Sequence, residues 1–127
     1  MQRHECNLNI RYDLPNEIWD KVPLIYEKMD GWLGFGKDGQ GESGIPYWFS
    51  YNENEKSILA SVEPSGLHFD ALMDSNEWDE WKKEIKKIST EILGFKVGEI
   101  EEGEVNHEIE WIRKPKKNWF KRFFNKI

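Results

Sequence analysis

Apolar residues recur at every second position in residues 6–12, where Cys6, Leu8, Ile10 and Tyr12 alternate with Asn7, Asn9 and Arg11. That period predicts a half-buried strand. After Pro15 the spacing changes: Ile18, Val22, Ile25, Tyr26 and Met29 recur as on one face of a helix, but Pro23 lacks a backbone N–H in the middle of the pattern. A kink or two short helices is expected there, with Gly31 as a C-terminal stop. Residues 30–46 hold six of the ten glycines, which predicts the longest loop and no regular element.

Period two returns at Tyr47, Phe49 and Tyr51, which alternate with Trp48 and Ser50, and again at Ile58, Ala60 and Val62 beyond a polar turn at residues 52–55. These predict a hairpin. Pro64 and Gly66 supply turn chemistry before Leu67, Phe69 and Ala71, whose neighbours His68 and Asp70 should face away from the core, so a three-stranded meander is expected. The clearest helix covers residues 75–93, with Trp78, Trp81, Ile85, Ile88 and Ile92 on one stripe. Asp74 and Glu77 have capping-box spacing at its start, and Gly94 suits its end. Further strands are expected at 95–100 and 105–112, on either side of the acidic turn 101–104. The fold class is therefore α+β: an antiparallel sheet in the order β-α-β-β-β-α-β(-β), with helices on one face.

Charge divides the chain at Ile112. Residues 1–112 hold all 24 acidic residues and eleven of the eighteen Lys/Arg, a net charge of −13, whereas residues 113–127 carry seven basic groups and no acidic one. Two parts follow: a single acidic α+β domain over 1–112 and a basic, aromatic tail over 113–127. On a helical wheel of about 100° per residue, Trp119, Phe120, Phe123, Phe124 and Ile127 fall within an arc of about 140°, with Lys121 and Arg122 opposite. A short basic amphipathic helix is expected. Together with Lys116 and Lys117, these residues suit an anionic membrane surface, a protein partner or the acidic body itself. Nucleic acid is disfavoured because the body would repel it. No apolar run approaches the roughly 20 residues that span a bilayer, and residues 1–9 lack the apolar core of a secretory signal. The expected location is cytoplasmic, with peripheral attachment at the inner face of the membrane as the variant that the tail suggests. Cys6, the single cysteine, reads as a small buried hydrophobe.

The chemical motifs are sparse. Gly34, Gly36 and Gly39 spell GxGxxG, and residues 31–37 spell GxxxxGK, but a helix precedes them and a strand follows, the reverse of a phosphate-binding loop. Asp38 also stands where a hydroxyl would be needed. His68 and Asp70, two apart on a strand, share a face and could serve as a base with an orienting carboxylate, although no nucleophile can be placed beside them. Paired cysteines, HxxxH spacing and a calcium-loop ladder are all lacking, so neither metal nor cofactor is expected.

In size, acidity and α+β order, residues 1–112 resemble the small immunity proteins that bacteria encode beside secreted toxins. The likeness is one of architecture and carries no motif. It implies a non-catalytic, cytosolic protein that neutralises a partner, such as a basic toxin domain, by occlusion. On this reading Trp32, Phe35, Asp38 and Glu42 are the candidate contacts, because aromatics beside carboxylates on a loop are poor core material. Their alternative is that Trp32 and Phe35 fold back over the sheet. Two other readings stand beside it: a peripheral membrane adaptor tethered by the tail, and a small enzyme using His68 and Asp70.

Overall fold

The computed structural model describes residues 1–105. Its elements are β1 (Gln2–Leu8), α1 (Asn16–Trp19), α2 (Val22–Lys28), β2 (Trp32–Phe35), β3 (Pro46–Trp48), β4 (Ser57–Glu63), β5 (Gly66–Met73) and α3 (Ser75–Leu93). The strands form one antiparallel sheet in the order β1-β5-β4-β3-β2, an α+β fold with the expected β3-β4-β5 meander at its centre.

Strand alternation sorts the sheet into two faces. Cys6, Leu8, Ile58, Ala60, Leu67, Phe69, Ala71 and Met73 are buried and join one core with Ile18, Val22, Ile25, Met29, Trp78, Trp81 and Ile85 from the helices. The opposite face carries Glu5, Asn7, Leu59, Ser61, His68, Asp70 and Leu72, which remain partly or largely accessible. Helix α3 matches its expected span. Its buried stripe is Trp78, Trp81, Ile85, Ser89 and Leu93, with Ile88 and Ile92 packed at the margin. Gly94 closes it in the left-handed conformation. Pro23 lies at the start of α2, where its missing N–H costs nothing, and this divides the region into the two short helices.

Several expectations need correction. The first strand begins four residues earlier and ends at Leu8; Ile10 is still buried, but Tyr12 is exposed. Part of the glycine-rich segment is a strand: β2 pairs with β3, and the Trp32 ring packs at a tilt against Trp48, its partner across the ladder. The remainder is cross-linked on itself, with Gly36 N–H donating to Ile45 O and Gly44 N–H to Gly36 O. In β3 it is Trp48, not Phe49 or Tyr51, that enters the core, because Phe49 adopts a positive φ of 71° and ends the alternation. The capping box does not form. Asp74 makes no side-chain cap, Glu77 pairs with Lys56, and Gln2 Oε1 accepts the Ser75 N–H instead.

Residues 95–100 form no strand, only a single Leu8–Glu99 bridge. Their backbone is satisfied largely by side chains: Asn9 donates to Lys96 O and accepts from Gly98 N–H, and Thr90 Oγ1 accepts from Val97 N–H. The end of β1 is thereby tied to α3 without a ladder. Val105 is outside any strand, and the rest of the expected strand 105–112 and the expected tail helix lie outside the described residues.

Candidate functional site

Two side-chain constellations stand out, one on the helical side and one on the open face of the sheet. The first is a groove of about 530 Å³ between α3, the end of α2 and the chain on either side of the β3–β4 turn. Its floor is apolar, formed by Met29, Met73 and Trp81 with the half-buried Phe49 ring beside them. The amphipathic period of α3 dictates the rim. Trp81 points inward, so Glu77 and Glu84, four residues before it and three after, line the lip together with its neighbour Glu80, and Asp30 faces them from the end of α2. Trp81 Nε1 donates to the Asp30 backbone carbonyl at 3.0 Å, which fixes the two walls relative to each other. Lys56 lies over the Phe49 ring at 4.5 Å and pairs with Glu77, and among the described residues Asp30, Glu80 and Glu84 make no ion pair. An apolar floor under three carboxylates that are unpaired among the described residues favours a ligand that is cationic at its edges and apolar at its centre.

On the open face, β1 and β5 set Glu5 directly opposite Asp70, with His68 two residues along β5 from Asp70. His68 Nε2 lies 3.5 Å from Glu5 Oε1 and 3.6 Å from Asp70 Oδ1. One ligand atom from each of the three residues falls within 4.8 Å of the others. Ser61 is registered opposite His68 on the other neighbouring strand, but its hydroxyl donates to Glu63 at 3.0 Å. The imidazole therefore has no hydroxyl nucleophile in hydrogen-bond contact among the described residues.

The residues singled out from sequence are distributed differently. His68 and Asp70 do share a face, and the structure adds Glu5 to them. Trp32 packs against the core in edge and tilted contacts with Tyr26, Trp48 and Phe35. Phe35, 41% exposed, forms one wall of a smaller apolar cleft of about 230 Å³ with Trp19, Pro23, Pro46 and Val62. Asp38 and Glu42 are exposed on the cross-linked loop, outside the acidic groove; the Glu42 N–H donates to Tyr47 Oη. Lys116, Lys117, Trp119, Phe120, Lys121, Arg122, Phe123 and Phe124 lie outside the described residues. The groove residues Asp30, Glu77, Glu80 and Glu84 were missed because, on the sequence, they are the solvated face of an amphipathic helix and a helix-terminal Asp. Only the approach of α2 and Phe49 to α3 makes them a rim.

A third cluster is structural. Glu99 is buried and bonds Lys86 Nζ at 2.6 Å and Lys82 Nζ at 3.2 Å, while Glu104 accepts from the Glu99 N–H and from Lys86. Burial alone would lower the Lys86 pKa, but the bonds to Glu99 and Glu104 outweigh it and hold the ammonium above its ordinary value. Burial likewise works against the Glu104 carboxylate; the Glu99 N–H and Lys86 overcome it and lower the pKa. Nearby Cys6 is pushed up to about 12 by burial, with Glu99 adding to the effect, so its thiol is a packing group rather than a nucleophile.

Compared with known proteins, the chain has no significant match to a family model, a curated protein or a solved structure. Among the described residues no helix is long and apolar enough to cross a membrane.

Proposed function

We propose that this protein is a non-catalytic binding module that receives a basic segment of a partner protein in the groove along α3. The observation that carries the reading is the pairing of an apolar floor with Asp30, Glu80 and Glu84, carboxylates that make no ion pair among the described residues. A partner Lys or Arg would meet the rim while an aromatic or aliphatic side chain covered Phe49 and Trp81. The charge of the body, −13 over residues 1–112, would steer such a partner towards it. Occlusion of a basic toxin domain in a cytoplasmic setting is the form of this function implied by the resemblance to immunity proteins.

The test uses the full chain and a labelled synthetic peptide of residues 113–127 as a basic, aromatic probe. Saturable binding should weaken at least tenfold in the double variant Glu80→Lys, Glu84→Lys and fall steeply with added salt. Equal affinity for both proteins would remove the groove from consideration. Peripheral membrane attachment through the tail, the other expectation, is separated by co-sedimentation with anionic vesicles. The groove reading requires that pelleting, where present, be unaffected by the charge reversal.

A further inference from the structure

We infer that Glu5, His68 and Asp70 form a binding site for a divalent transition-metal ion of the zinc class on the open face of the sheet, joining edge strand β1 to β5. Three observations converge. Glu5 and Asp70 are registered directly opposite each other, a like-charge cross-strand pair that is destabilising unless a cation lies between them. The His68 imidazole nitrogen faces both carboxylates at 3.5 and 3.6 Å. Those separations are long for charge-assisted hydrogen bonds, yet they match the edge of a tetrahedron built on metal–ligand bonds of about 2.0–2.2 Å, which is roughly 3.3–3.6 Å. Finally, Asn7, registered opposite His68, has a buried side-chain oxygen with no hydrogen-bond partner among the described residues. A metal-bound histidine holds its other ring N–H on an acceptor of this kind, and the cross-strand register sets Asn7 next to His68.

One nitrogen and two carboxylate oxygens suit zinc and its neighbours better than magnesium, which keeps its water and prefers oxygen alone. Three protein ligands leave the fourth position open to water or to a donor from a partner. Glu5 lies on β1, and His68 and Asp70 lie far along the chain on β5, so an ion would close a clamp across the β1–β5 ladder. The site lies on the opposite face of the sheet from the α3 groove and does not depend on it.

The experiment is a zinc titration of the full-length chain, followed by calorimetry and by NMR of the histidine rings. Expected is one saturable site at which the His68 Nε2 resonance moves and the His4 and His107 resonances do not, together with a higher unfolding temperature. Substituting Glu5→Gln should weaken binding on the order of tenfold or more, since loss of an outer-shell partner alone costs about 10–100-fold. Circular dichroism checks that the variant remains folded. His68→Gln should abolish the site. An unmoved His68 ring at saturating zinc, zinc binding unchanged in His68→Gln, or the same ring shift with magnesium would each overturn the assignment.

Discussion

Replacing Glu99 by Gln keeps its shape and removes its charge from a place where that charge has two cations and little water. The Glu99 side chain is 8% exposed, and its Oε2 lies 2.6 Å from Lys86 Nζ and 3.2 Å from Lys82 Nζ. Hydrogen bonds to charged groups contribute about 1.5–3 kcal/mol, and removing one partner of a fully buried pair costs about 3–5 kcal/mol. Two features reduce the second figure here. Both ammonium groups keep contact with solvent, at 23% and 17% side-chain exposure, and Lys86 retains Glu104 as a partner. A loss of about 1.5–3 kcal/mol is therefore expected, read by urea denaturation at pH 7 as a lower midpoint with an unchanged slope. The companion variant Lys86→Met should also destabilise. The double variant should cost less than the sum by about 1–2 kcal/mol, because removing both charges leaves neither one stranded. A loss below about 0.5 kcal/mol, or single effects that add within about 0.3–0.5 kcal/mol, would show that the pair does not secure residues 95–104 to α3.

The same cluster sets a pH window. The folded pKa of Glu104 is lowered, so its contribution is present above the unfolded carboxylate value of about 4.3 and is lost as pH falls through the folded value; that of Lys86 is raised, so its contribution is present below 10.5 and is lost as pH rises through the folded value. Thermal unfolding should show a plateau between these limits, and Glu104→Gln should flatten its acid limb; an unchanged acid limb would refute the linkage. Trp48→Phe should cost about 2 kcal/mol by leaving a void among Tyr26, Trp32, Phe69 and Trp81, as measured by denaturant midpoint. Loss of the indole donor adds little, because the Tyr26 carbonyl still accepts the Met29 N–H. Gly66→Ala should be the more damaging change, on the order of 3 kcal/mol, because φ is +147° and a Cβ would stand 2.0 Å from the Leu8 carbonyl oxygen. A thiol reagent at pH 8 should label Cys6 no faster than the protein unfolds, since a pKa moved from 9.0 to about 12 cuts the thiolate fraction roughly a thousandfold; rapid native labelling would contradict its burial.

Local periodicity determined much of this protein. The alternation of Leu67, Phe69 and Ala71 against His68 and Asp70, the helical stripe from Trp78 to Ile92, the division at Pro23 and the stop at Gly94 all depend on the near-neighbour geometry of the backbone, so residue order alone carries them. The tertiary structure decided what depends on distant partners. Trp32 left the loop because Trp48 offered it a ring, Phe49 gave up the strand to let Trp48 enter the core, and Asn9 and Thr90 removed the need for a strand at residues 95–100. Both candidate sites are of that second kind. Glu5 reaches His68 only through the pairing of β1 with β5, and Asp30 faces Glu80 and Glu84 only because α2 ends against α3. A side chain's chemistry is a property of the residue, but the charge it faces, the water it loses and the ligand geometry it completes belong to the contacts that folding makes.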